Sequence, residues 1–238
     1  MAVDHLEMVQ FQQNPEPRCP VILLLDTSGS MMGKPIAELN AGLKDFEQTL
    51  KSDALASLRV EVAVITFGGK VSAMDVVNGK GSIPFDAQQA FVTADRFVAP
   101  TLNADGETPM GEAVRQSLTL IQERKNIYKQ NSLDYFRPWI FLVTDGRPTD
   151  NGWEAAAEQA KQEEARKGIS FYAVGVEGAD LKTLARFSED RPALKLKGLA
   201  FRELFMWLSK SLSSVANSQP GEQAPLPPVG WAQVDTSH

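Results

Sequence analysis

The sequence predicts an α/β domain: a central, mostly parallel sheet with one antiparallel edge strand and helices on both faces. Three observations point there. Residues 21–25 (VILLL) and 139–143 (WIFLV) are short and continuously apolar, as strands buried on both faces are. Each apolar run stops at a polar, glycine-containing turn, DTSGS at 26–30 and TDG at 144–146. Segments with helical spacing alternate with these and other strand-like runs along the chain.

Taken in order, residues 1–19 are polar and end in NPEP at 14–17, which reads as a leader outside the core. The first strand covers residues 21–25. Pro35 then opens a helix whose apolar positions Ile36, Leu39, Leu43, Phe46 and Leu50 form one stripe. Val60, Val62, Val64 and Ile65 mark a second strand that ends at Phe67-Gly68-Gly69. The glycine pair favours a tight turn into an antiparallel neighbour over 71–77. Residues 78–105 are less regular. A helix begins at Pro109, with Met110, Val114, Leu118 and Ile121 on one side. The strand at 139–143 is followed by a helix over 153–167 that Gly168 closes. A strand over 169–176, a short helix over 181–187 and a last strand over 193–196 follow. Phe201, Leu204, Phe205, Leu208, Leu212 and Val215 mark the closing helix. The domain is expected over 20–215. Residues 216–238 contain Pro220, Pro225, Pro227 and Pro228 and read as a flexible tail outside the core.

Composition narrows the function. Lys and Arg total 24 against 30 Asp and Glu, a net charge of −6, with no long basic run. That argues against nucleic acid or an anionic membrane as the main partner. One cysteine, Cys19, excludes an internal disulfide framework, and it reads as a small residue at the core edge. The two histidines, His5 and His238, lie near the ends, so an interior Ser-His-Asp or Cys-His site is not expected. The first thirteen residues lack a secretory pattern and no apolar run approaches the ~20 residues that span a bilayer. The expected location is the cytoplasm.

In open α/β sheets, ligands bind beyond the carboxyl ends of the strands. At that edge the sequence places Asp26, Ser28 and Ser30, whose period-two spacing aims three oxygens one way. It also places Asp145 and, just before a helix, Thr108. Two carboxylates and three hydroxyls suit one hard cation, Mg²⁺ or else Mn²⁺ or Ca²⁺. Such a site keeps room for a carboxylate from another molecule. Each residue also has an ordinary structural use: turn hydroxyls at Ser28 and Ser30, a helix cap at Thr108, a turn acid at Asp145. Asp150 reads as the cap of the 153 helix, and Asp105 and Glu107 as solvated. Met31 and Met32 suit either a site rim or burial against the following helix. Arg147 reads as a cationic rim.

The string Asp26-Thr27-Ser28-Gly29-Ser30 after an apolar strand, then Thr108, then Thr144-Asp145-Gly146, resembles the metal-ion-dependent adhesion site of von Willebrand factor type A domains. The resemblance spans about residues 20–215. It implies that Ser28, Ser30 and Thr108 touch the metal and that Asp26 and Asp145 act directly or through water. The strings GETPMGEA at 106–113 and TDGRPTD at 144–150 are similar to the TerY-like proteins of the bacterial tellurium-resistance group. That likeness implies a cytoplasmic stress-response scaffold associated with a protein kinase and a PP2C-type phosphatase.

The expected function is therefore a metal-dependent module that grips an Asp or Glu of a partner protein, without catalysis. The competing reading is a metal-dependent phosphohydrolase with Asp26 as nucleophile. In that reading the acid expected two residues on is replaced by Ser28, which is a poor proton donor. Nucleotide binding is disfavoured because neither a P-loop nor a GxGxxG pattern follows the first strand.

Overall fold

Eight consecutive buried residues form β1 (Cys19–Asp26), the centre of the sheet. Its side chains divide by parity. Val21, Leu23 and Leu25 enter one apolar layer, and Ile22 and Leu24 the other. A strand with apolar cover on both faces has no use for polar alternation, which is why residues 21–25 read as an unbroken run.

The computed structural model describes Phe11 and residues 13–234. After β1 come α1 (Lys34–Ser52), α2 (Ala56–Arg59), β2 (Val60–Gly68), β3 (Lys70–Met74) and β4 (Ser82–Ile83). The middle of the chain forms α3 (Ala87–Ala90), β5 (Val92–Thr93), α4 (Met110–Gln130), β6 (Trp139–Thr144) and α5 (Trp153–Ala165). The last third forms β7 (Ser170–Gly175), α6 (Leu181–Leu184), β8 (Leu194–Leu196), α7 (Phe201–Ala216) and β9 (Ala232–Val234). The sheet order is β4-β3-β2-β1-β6-β7-β8-β9, with β5 also paired to β2. Strands β2, β1, β6, β7 and β8 are parallel, and β3 is antiparallel to β2, as the Gly68-Gly69 turn leads one to expect. Helices α1 and α7 supply one apolar layer, α4 and α5 the other. Among the described residues, no helix is long and apolar enough to cross a membrane.

Both ends of the chain depart from expectation. The tail does not lie outside the core. Trp231 and Ala232 are buried in the α1/α7 layer, β9 pairs antiparallel with β8, and the Trp207 indole donates to the Pro227 carbonyl at 2.8 Å. Apolar cover for Trp207 and a partner for the β8 edge explain the docking. The described part of the leader, Phe11 and residues 13–19, is tied down as well. Arg18 is fully buried and bonds Glu61 on β2 at 3.0 Å, while Phe11 lies against the guanidinium groups of Arg18 and Arg124. Glu61 also accepts from Arg124 and from the Tyr128 hydroxyl, both on α4. Burial alone would raise the Glu61 carboxyl, but the two guanidinium groups and Tyr128 hold it below the ordinary value. Cys19 is fully buried beside Glu61, which pushes its thiol up to about 12, so it is inert packing. His5 and His238 lie outside the described residues.

Candidate metal centre

Three segments meet at the carboxyl edge of the sheet: residues 26–30 from the end of β1, 105–109 before α4, and 144–150 from the end of β6. Backbone bonds stitch them together. The Gly29 amide donates to Gly106 at 2.9 Å, Asp105 to Thr27 at 2.8 Å, and Thr149 to Thr108 at 3.0 Å. The Thr149 hydroxyl accepts from the Thr108 amide at 3.0 Å. Gly68, at the end of β2, permits the close approach of Thr27. A Cβ there would sit 2.6 Å from Thr27 Oγ1, so no larger residue fits.

All five candidate oxygen donors reach this edge. The Ser28 and Ser30 hydroxyls lie 3.0 Å apart, and Ser30 donates to Asp145 Oδ1 at 2.7 Å. Asp26 is fully buried. Its Oδ1 accepts from the Ser28 amide at 2.7 Å and its Oδ2 from the Thr144 hydroxyl. Thr108 Oγ1 and Asp26 Oδ2 both face the space above Gly146. A Cβ on that glycine would meet them at 3.3 and 3.6 Å. Ser30 is exposed and Asp145 half-buried, so the cluster opens to solvent on the Ser30 side.

The donor set fits a divalent cation. It holds two carboxylates and three hydroxyls, and Gly146 leaves a cradle that any side chain would fill. Burial raises the Asp26 carboxyl above its ordinary value and the Asp145 charge adds to this, while bonds from Ser28 and Thr144 pull it back. A cation between the acids offsets their mutual repulsion. Among the described residues no group of three or more His, Cys, Asp or Glu could hold a metal, so hydroxyls have to complete any shell here.

Several supporting residues escaped the sequence reading. Thr144 orients Asp26. Its period-two position was the available signal: one step past the Leu25–Val143 pair, it falls beside Asp26 on the same face. Asp150 does not cap the helix that follows it. Its carboxylate accepts from the Gly111 and Glu112 amides at 3.0 and 2.8 Å and caps α4, whose preceding residue, Pro109, offers no capping side chain. Thr108 likewise makes no side-chain cap, which leaves its hydroxyl for the site. The two methionines divide the alternatives, Met31 fully buried and Met32 65% exposed. Arg147 is exposed and pairs with Asp180 at 3.1 Å.

Residues 21–202 match the von Willebrand factor type A domain, and the chain belongs to that family. Solved structures share its fold. A von Willebrand factor type A protein from Catenulispora acidiphila superposes with a TM-score of 0.58 at 16% identity, over 83% of this chain and 43% of that one. The von Willebrand factor domain of a type V pili tip protein from Porphyromonas gingivalis gives 0.57 at 12% identity, over 88% of this chain and 99% of that one. A proximal thread matrix protein from the mussel byssus, with zinc in its adhesion-site motif, gives 0.53 at 18% identity, over 83% and 48%. The chain thus spans less than half the length of two of these relatives. Among curated proteins none matches it.

Proposed function

We propose that the chain is a metal-dependent protein-interaction module that captures an Asp or Glu side chain of a partner protein. The observation that carries this reading is the convergence of Asp26, Ser28, Ser30, Thr108 and Asp145 on one partly open edge, with Gly146 keeping the space between them clear. The zinc-occupied motif of the byssus protein supports it by analogy of fold. Ser28, Ser30, Thr108, Asp26 and Asp145 would hold the ion, with Mg²⁺ the expected occupant. The ion supplies positive charge for an incoming carboxylate. The protein's own part is to fix the oxygens: Thr144 holds Asp26, and Ser30 holds Asp145. Met32 and Arg147 stand exposed on the neighbouring loops as apolar and cationic contacts.

The phosphohydrolase reading gains nothing from the geometry. Both Asp26 oxygens are engaged in hydrogen bonds within a fully buried carboxylate, a poor arrangement for a nucleophile. A role as a scaffold of the tellurium-resistance type, in the cytoplasm with a kinase and a PP2C-type phosphatase, rests on the 106–113 and 144–150 strings alone.

The test is a pull-down with the full chain in Mg²⁺, in EDTA, and in EDTA followed by excess Mn²⁺. Partner capture should vanish in EDTA, return with Mn²⁺, and be absent for a folded Asp26→Ala or Thr108→Ala variant. Capture that persists in EDTA and in those variants would overturn the mechanism.

A further inference from the structure

A cavity of about 920 Å³ lies at the opposite, amino-terminal edge of the sheet, where Trp139 and Ser170 begin β6 and β7. Six cationic side chains line it, Lys125, Lys129, Arg137, Arg166, Lys167 and Arg191, against one acid, Glu222. That concentration stands out in a chain of net charge −6. The cations come from separate elements. Lys125 and Lys129 lie on α4, Arg166 and Lys167 follow α5, and Arg137 and Arg191 precede β6 and β8. Residues 221–224 and Leu226 of the docked tail form another wall.

Part of this charge is already answered. Arg191 pairs with Glu164 and Arg166 with Glu163 at 3.5 Å, and Lys125 Nζ donates to the Gly168 carbonyl at 3.3 Å. The side chains of Lys129, Arg137 and Lys167 have no hydrogen bond or ion pair among the described residues. Burial holds the Lys125 ammonium below its ordinary value; Glu163 opposes this and the Lys129 charge adds a smaller push in the same direction as burial. The carboxyl ends of α4 and α5 account for Lys129, Arg166 and Lys167 one at a time, since cations are favoured there. They do not account for Arg137, which sits on a loop.

We propose that this cavity binds a small anion carrying two or three linked phosphate groups. Its volume falls in the range of small-ligand pockets, about 300–1,000 Å³. The Arg137 guanidinium offers a planar fork for phosphate oxygens, and Lys125, Lys129 and Lys167 line the same cavity as point charges. The site is independent of the metal centre, which lies beyond the carboxyl ends of β1 and β6 at the other edge of the sheet.

The test is titration calorimetry of the full chain with tripolyphosphate and with ADP, in EDTA so that no metal bridges the anion. Saturable binding with a Kd below about 1 mM is expected for tripolyphosphate, weakening as salt rises. ADP binding as tightly as tripolyphosphate would assign the site to nucleotides, and weaker ADP binding to free oligophosphate; both sustain it. The Lys129→Ser/Arg137→Ser variant, checked for folding by its melting temperature, should lose at least tenfold in affinity, about what one charge-assisted contact supplies. Lys167→Ser gives an independent check, and Asp26→Ala should bind as the unaltered chain does. Absence of saturable binding, or equal binding by the double variant, would overturn the proposal. So would a phosphoserine peptide that binds where tripolyphosphate and ADP do not.

Discussion

At the Thr144 hydroxyl, one side chain fixes the orientation of another. It donates to Asp26 Oδ2 and accepts from the Gly146 amide at 3.1 Å, so it sets both the acid and the turn beside it. Thr144→Val keeps the shape and removes the donor. Its affinity for Mn²⁺ should fall about 10–100-fold, the usual consequence of losing a group that orients a ligand. Thr144→Ser should restore most of it. Calorimetric titration with Mn²⁺ reads both, and unchanged affinity in the valine variant would remove Thr144 from the site. Gly146→Ala places a methyl 3.3 Å from Thr108 Oγ1 and 3.6 Å from Asp26 Oδ2. It should weaken Mn²⁺ binding while leaving the melting temperature nearly unchanged. Among the candidate donors, Asp26, Ser28 and Ser30 were legible as a group because they share one local stretch. Thr144 was not, because its role depends on the register between β1 and β6, 118 positions apart in the chain.

The elements show the same division between local and distant causes. The apolar stripe of α1 and the continuous runs of β1 and β6 follow from residues within each segment. The start of α4 does not. Its first amides are answered by Asp150, 39 and 38 positions away, so a rule that assigns a cap to the next helix picks the wrong one. Asp150→Ala should therefore destabilise the protein by about 1 kcal/mol through α4, with α5 little affected. Amide exchange should quicken at Gly111 and Glu112 first. Strand β2 carries a similar long-range dependence. Glu61 is a lone acid in an apolar strand, and its partners Arg18 and Arg124 lie 43 and 63 positions away. Its carboxyl is held low in the folded state, so its contribution is present above the unfolded carboxylate value, about 4.3, and is lost as pH falls through the depressed folded value. Glu61→Gln should cost about 3–5 kcal/mol near pH 7, because it leaves two buried guanidinium groups without a counter-charge. Urea unfolding should show that deficit shrink as pH drops below about 4, since the unaltered protein then loses the same interaction. A deficit that stays constant down to pH 3 would contradict the assignment.

For the molecule as a whole, the parallel core was legible and its closure at the far side was not. Composition alone makes residues 217–238 look like a linker, since prolines and polar residues dominate. A three-residue strand such as β9 also carries no periodicity of its own. One aromatic residue contributes much of the apolar contact that docks it. Trp231 packs edge-on against Trp207, with ring centroids 5.6 Å apart, and it is buried in the layer shared with α1 and α7. The fit has a defect, because the Trp231 indole nitrogen is buried without a hydrogen-bond partner among the described residues. The two halves of this residue therefore act in opposite directions: the ring area stabilises the docked tail, and the unanswered N–H opposes it. Trp231→Phe keeps most of the area and removes the defect, so its stability should lie within about 1 kcal/mol of the unaltered chain. Trp231→Ala removes the area and should cost about 3–5 kcal/mol. Truncation before residue 219 should cost at least as much as the alanine variant, because it also unpairs β8 from β9 and strips the Trp207 indole of the Pro227 carbonyl. Thermal unfolding of the three variants orders them. A truncated chain that melts with the full-length one would show that the tail rests on the domain without stabilising it, and a phenylalanine variant as weak as the alanine one would place the contribution in the indole rather than in its area.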